Sequence, residues 1–218
     1  MYILQRSELA ILIPAYNEAL TIERVVKEVS SYGQPIVVDD CSNDNTAIIA
    51  AAAGAIVVSH KINCGYDCAL NSAFSKASRL GFLYVVTFDA DGQHSAGIIA
   101  EYIKQFENGY DLILGNRPKT ARFAEYIFSK YCRIRFGIND PLCGMKGYKM
   151  SVYKSHGCFD SYDSIGTELM LYSSREGLRI FQLPIPIFLR NDAPRFGTKF
   201  NANRRILRSM LIGMFKKN

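Results

Sequence analysis

The sequence predicts an α/β fold: a mainly parallel sheet flanked by helices, in a single domain. Three observations carry this. Short β-branched runs alternate with helix-spaced segments over roughly the first 115 residues, the pattern of repeated β–α units whose strands run parallel. With 218 residues the chain can bury a substantial core as one large domain. Carboxylates gather just past three of the strand-like runs, where open parallel sheets bind ligands.

The elements follow in order. "ELAILIPAYNE" reads as a short buried strand ending at Pro14. "ALTIERVVKEVSSYG" places Leu20, Ile22, Val25, Val26 and Val29 at helical spacing, with Gly33 as its stop. "PIVVDD" is a second strand, followed by a helix capped near Ser42–Asp44. A strand over "AIVVSH", a helix over Cys68–Leu80, a strand over Leu83–Val86, a helix over Ile98–Phe106 and a strand in "YDLILGNR" complete the alternation.

Composition excludes several classes. With 49% hydrophobic and 21% charged residues the chain is an ordinary globular protein, and no apolar run approaches the roughly 20 residues that span a bilayer. Arg6 and Glu8 interrupt any signal-peptide pattern at the N-terminus. No GxGxxG follows the first strand and no GxxxxGK[ST] occurs, which argues against dinucleotide and P-loop sites. No basic-aromatic pattern points to nucleic acid. Six cysteines are scattered without a pattern; Cys64 and Cys68 are four apart on an expected helix, and no second pair or histidine is expected to complete a zinc site with them. Scattered cysteines without a secretion signal imply a reducing, cytoplasmic setting.

The most informative stretch is Thr87–His94, "TFDADGQH". Side chains at i and i+2 of an extended segment point the same way, so Asp89 and Asp91 converge, and converging carboxylates repel unless a proton or cation lies between them. Turn residues alone would account for such a stretch. Its position among Pro14–Glu18 and Asp39–Asp40, all at strand ends, makes it a candidate site.

"ILIPAYNEALTI", "VVDDCSNDNT", "NCGYDCALNSAF", "FDADGQH", "DPLCGMKGYK" and "RIFQLPI" stand in this order. Together they resemble family 2 glycosyltransferases of the GT-A fold over about residues 9–200. The "DADGQH" form resembles the branch containing polyprenyl-phosphate (dolichyl-phosphate) mannosyl- and glucosyltransferases. The resemblance implies a metal-dependent, inverting transferase that uses a nucleotide-sugar donor. Mg2+ or Mn2+ would stabilise the departing diphosphate, held by Asp91, Gln93 and Asp89, with Asp89 alternatively facing the ribose. Pro14, Ala15, Tyr16, Glu18, Asp40 and Ala90 would complete the nucleotide-sugar site, Tyr16 packing on the base and Asp40 accepting a base N–H; Asp39 is expected to be structural. On the acceptor side the resemblance implies Asp140 and Glu168 as catalytic carboxylates and Arg117, Arg190, Arg195 and Lys199 as phosphate-facing bases. The acceptor it implies is a polyprenyl phosphate; a saccharide hydroxyl is the alternative, and a non-catalytic nucleotide-sugar-binding subunit the alternative of another class.

Departures from the family pattern are local. Lys146 replaces a usual arginine and loses its bidentate fork, Tyr66 and Asp67 follow Gly65 where basic and small residues are usual, Cys41 replaces a common glycine, and the spacer after Arg117 is short.

Charge is concentrated at the C-terminus. Residues 190–218 hold eight Lys/Arg and one Asp, while the remainder holds 18 basic and 19 acidic residues. At 100° per residue, Ile206, Leu207, Met210, Leu211, Met214 and Phe215 fall on one half of a helix, opposite Arg204, Arg205, Arg208, Ser209 and Lys216, with Ile212 the exception. The chain is therefore read as a GT-A domain over 1–200 and a basic amphipathic helix over 201–218, of the kind that lies on anionic membranes. That places it at the inner face of the cell membrane.

Overall fold

The computed structural model describes residues 3–118, 122–186 and 199–216, with side chains from residue 202 in the last segment. The elements are β1 (Leu9–Ala15), α1 (Ile22–Val29), β2 (Gln34–Asp39), α2 (Thr46–Ala52), β3 (Ile56–Ser59), α3 (Tyr66–Arg79), β4 (Tyr84–Thr87), α4 (Ile99–Glu107), β5 (Leu112–Asn116), α5 (Phe123–Phe136), β6 (Lys146–Lys149), α6 (Met150–His156), α7 (Glu168–Arg175), β7 (Ile180–Pro184) and α8 (Lys199–Phe215). They form one sheet in the order β3-β2-β1-β4-β6-β5-β7. β6 runs antiparallel to both β4 and β5; the other pairings are parallel.

Both faces of the sheet are covered, which is why its strands read as continuous apolar runs. Ala10 and Leu12 of β1 face a core built with Phe74, Phe128, Tyr148 and Leu169. Leu9, Ile11 and Ile13 face the opposite core, with Val26, Val86, Ile99 and Phe106. Gly147 lets β6 pass beneath α4: a Cβ there would lie 2.7 Å from the Tyr102 ring and 2.9 Å from Phe106.

Helix starts differ from the periodicity for local reasons. Leu20 is fully exposed, because the Glu18 carbonyl accepts the Thr21 and Ile22 N–H groups in a turn and α1 begins only at Ile22. Asp44 accepts the Thr46 N–H at 3.0 Å and sets the start of α2. Pro14 is tolerated inside a central strand because Leu12 O accepts the Phe88 N–H and β4 pairs no further than Thr87. The donor that proline lacks would have pointed past the end of that strand.

The C-terminal helix begins at Lys199 and packs on α5. Ala202, Ile206 and Ser209 are buried, and a Cβ at Gly213 would lie 2.7 Å from Leu171. Ser209 Oγ donates to Ser164 O at 2.7 Å, and Arg208 to Tyr162 O at 2.9 Å. The apolar half expected from the helical wheel is thus divided: Ile206 faces the core with Leu207 and Met210 packed beside it, while Leu211, Met214 and Phe215 are exposed.

Candidate active site

The loops after β1, β2 and β4 come together because their strands are adjacent and parallel. Ala15 lies beside Asp39 in register, and Leu12 beside Thr87. The first two loops are stitched together by side chains. Asn17, at a left-handed φ of 54°, receives the Asn43 N–H on its side chain at 2.8 Å and donates its own N–H to Ser42 Oγ at 2.9 Å. Glu18 is buried and donates its N–H to Thr46 Oγ1 at 2.8 Å. Pro14, Ala15 and Ala90 form the buried or half-buried floor, and Tyr16 is exposed beside it.

Asp40 ends this edge in a different role from an open base acceptor. Its Oδ1 receives the Cys64 N–H at 2.9 Å and lies 2.7 Å from His60 Nδ1; its Oδ2 receives the Gly65 N–H at 2.7 Å. The carboxylate therefore clamps the loop between β3 and α3. The neighbouring Asp39, expected to be structural, has a buried Oδ1 with no hydrogen-bond partner.

After β4, Asp91 Oδ1 accepts the Gln93 backbone N–H at 3.0 Å, closing a tight turn. Gly92 takes a φ of +71°, with the Arg24 guanidinium in the space a side chain would need. Asp89 lies under Gly144 of the segment before β6, where a Cβ would stand 2.8 Å from Oδ2. The buried imidazole of His94 meets Asp89, with Nε2 3.3 Å from Oδ2. Burial opposes charge on that ring, yet the hydrogen bond to Asp89 and the charges of Asp89 and Asp91 raise its pKa above the ordinary value. The other ring nitrogen, Nδ1, is buried without a partner. Sequence reasoning did not single out His94, although it closes the same "DADGQH" stretch. Two carboxylates and an amide close in sequence, with an imidazole drawn to their charge, are a donor set that fits a hard divalent cation.

On the other side of β4, Arg117 and Asp140 form a two-pronged pair, Nε–Oδ2 at 2.7 Å and Nη2–Oδ1 at 2.8 Å. Glu125 of α5 approaches the same guanidinium at 3.5 Å. The expectation gave Arg117 and Asp140 separate tasks; the structure makes them one paired unit. They open onto a cleft of about 410 Å3 lined by Pro118, Tyr126, Lys130, Arg133 and Asn139 among others. The cations of α5 were not anticipated, because a helix-face Lys or Arg looks like solvated surface in sequence. Arg190 and Arg195 lie outside the described residues, as does the side chain of Lys199.

Glu168, the first residue of α7, is buried. It accepts from Ser161 N at 2.5 Å and Ser161 Oγ at 3.0 Å, contacts His156 Nε2 at 3.1 Å, and is capped by Lys216 of the C-terminal segment. Burial raises its pKa, but these donors together lower it below the ordinary value. Lys146 is buried in β6 and donates to Gly166 O; burial lowers its pKa to about 8.

The fold and the clustered strand-end carboxylates define a GT-A-type α/β enzyme. The chain belongs to a family described as Glycosyl transferase family 2, whose profile matches residues 10–157, and it is a glycosyltransferase. It is 26% identical to an uncharacterised protein of Methanocaldococcus jannaschii, covering 96% of this chain and 93% of that one. It is 24% identical to a dolichyl-phosphate hexose transferase of Haloferax volcanii, over 82% of each chain. Its fold is similar to that of glucosyl-3-phosphoglycerate synthase from Mycobacterium tuberculosis, solved with Mn2+, UDP and glucosyl-3-phosphoglycerate (TM-score 0.77, 20% identity, 98% of this chain and 81% of that one).

Proposed function

We propose that the chain transfers a sugar from a UDP- or GDP-linked donor to the phosphate of a polyprenyl phosphate, with inversion and with a divalent metal. The observation that carries this reading is the cleft past the end of β5, where Lys130 and Arg133 add positive charge beyond the Arg117–Asp140 pair. A phosphate monoester has its second pKa near 6, so it arrives as an ionised nucleophile and needs cations to guide it more than a base to deprotonate it. A saccharide hydroxyl needs that base, and Glu168, the carboxylate expected to serve, is occupied by Ser161, His156 and Lys216. The dolichyl-phosphate substrate in the Haloferax relative's name agrees with this.

On the donor side, Asp89, Asp91 and Gln93 would hold Mg2+ or Mn2+. When bound, the ion would neutralise charge developing on the leaving diphosphate; the Mn2+ and UDP of the mycobacterial structure fit the same assignment. Asp39, with a buried Oδ1 that no described residue meets, suits a base N–H better than Asp40, which already holds His60 and the Cys64 and Gly65 N–H groups. Exposed Phe123, Tyr126 and Ile134 on α5, and Leu211 and Phe215 on α8, lie among basic residues of those two helices and would face the cytoplasmic side of the membrane.

The test is release of nucleoside diphosphate from UDP- and GDP-sugars with Mn2+, with polyprenyl phosphate or a saccharide as acceptor. Polyprenyl phosphate should stimulate release, and Asp91→Asn should lower it by about a hundredfold, as loss of a strong electrostatic group does. Turnover with saccharide alone, or undiminished turnover in a chelator, overturns the reading.

A further inference from the structure

His60, Cys64 and Cys68 form a cluster separate from both the Asp89–Asp91 turn and the basic cleft. His60 directly follows β3, Cys64 lies in the next loop, and Cys68 is on the first turn of α3. One nitrogen of the imidazole and the two sulfurs all lie within 4.8 Å of one another. The three stand at four-residue intervals in sequence, His60-x3-Cys64-x3-Cys68, and the fold anchors the first of them through the His60 N–H, which donates to Asp39 O at 2.9 Å.

Both imidazole nitrogens carry hydrogen-bond partners, so a metal would take Nε2 from Ser72 and leave Nδ1 on Asp40. Nδ1 lies 2.7 Å from Asp40 Oδ1, and Nε2 lies 2.9 Å from Ser72 Oγ. A carboxylate on one nitrogen of a ligating histidine fixes its tautomer and strengthens the other nitrogen as a donor. The same Asp40 receives the N–H groups of Cys64 and Gly65, so one carboxylate positions two of the three candidate ligands.

We propose that His60, Cys64 and Cys68 bind a borderline-soft divalent ion of the Zn2+ class, with Asp40 positioning His60. Two thiolates and a neutral imidazole balance a dication and favour Zn2+ over the oxygen-seeking ions that suit Asp89 and Asp91. Tetrahedral coordination at ordinary Zn–S and Zn–N lengths puts ligand atoms roughly 3.5 Å apart, so from separations within 4.8 Å closure needs a shift of up to about 1.3 Å, available to Cys64 because it is exposed. Three protein ligands leave the fourth position to water. An ion here would tie the end of β3 to the start of α3.

Co2+ added to the metal-stripped full chain is the probe, because thiolate ligands give a near-ultraviolet charge-transfer band that oxygen ligands do not. The expected result is a thiolate band saturating near one equivalent and abolished by Zn2+. Losing a ligand costs at least the tenfold or so that losing an outer partner does, so Cys64→Ser and Cys68→Ser should each weaken Co2+ binding by about tenfold or more, with Cys41→Ser unchanged. No thiolate band in the wild-type chain, or a band surviving both Cys64→Ser and Cys68→Ser, overturns the proposal. Near-ultraviolet circular dichroism of the stripped variants confirms that they are folded.

Discussion

Arg117 and Asp140 are locked by two side-chain bonds, at 2.7 and 2.8 Å, and by the Arg117 backbone N–H, 3.1 Å from Asp140 Oδ2. Both side chains are mostly withdrawn from water. Breaking this pair at Asp140 leaves the Arg117 charge only Glu125, at 3.5 Å, which does not replace the two-pronged bond. Asp140→Asn should therefore lower stability by about 3 kcal/mol, read as a shift of the urea midpoint. Arg117→Lys keeps the charge but loses the fork and should cost less. Wild-type midpoints in both would mean that the pair contributes nothing.

Glu168→Gln separates the acceptor classes. A phosphate acceptor should leave turnover within about tenfold of wild type, whereas a hydroxyl acceptor would cost roughly a hundredfold. Glu168 also accepts several bonds as a charged group, so the same variant should lose about 2 kcal/mol of stability. Turnover with polyprenyl phosphate and a denaturation curve, taken on one preparation, check both.

Lys146 sets a stability window at alkaline pH. Its folded pKa is about 8 against an ordinary 10.5, so between these values the unfolded chain binds the proton and the native chain does not. Stability from this group rises with pH across that interval, by about 3 kcal/mol at most. Lys146→Met should remove that rise. Unfolding free energies at pH 7 and pH 10 for both proteins test it; an unchanged difference refutes it.

The exposed aromatic residues provide a membrane test that leaves the core intact. Burying one phenylalanine in the interface contributes about 2 kcal/mol, so Phe123→Ser and Phe215→Ser should each weaken cosedimentation with anionic vesicles by about tenfold or more, without moving the thermal midpoint. Deleting residues 204–218 would be a poor substitute, because it also removes Ile206, Ser209 and the Lys216 cap on Glu168. Equal vesicle binding by all three proteins would exclude this face.

Much of the fold was legible because strand and helix periods are local properties. Val25, Val26 and Val29 are buried as their spacing requires, and β1, β2 and β4 end where Pro14, Asp40 and Asp89 signalled. The antiparallel β6 was not legible. Lys146–Lys149 is only four residues long, and its place is fixed by its own Gly147 passing under the distant Tyr102 and Phe106. The site divides in the same way. Residue types at the strand ends could be read directly, but their partners could not: His60 on Asp40, Arg117 on Asp140 and Lys216 on Glu168 are all meetings between distant parts of the chain. Asp39 and Asp40 show the limit most sharply, since adjacent identical residues end up with opposite hydrogen-bonding states.

The position of β6 also dictates an order of assembly. Gly147 pairs with Val86 on one side and Ile113 on the other, so β5 has no route into the sheet until the chain has continued past it and returned. During synthesis, β1 to β4 can associate first through parallel pairings, leaving β4 as an open edge that could recruit a wrong strand. The four-residue length of β4 keeps that edge small. Insertion of β6 then closes the gap and sets Gly144 against Asp89, so the carboxylate turn acquires its final surroundings only once β6 is in place.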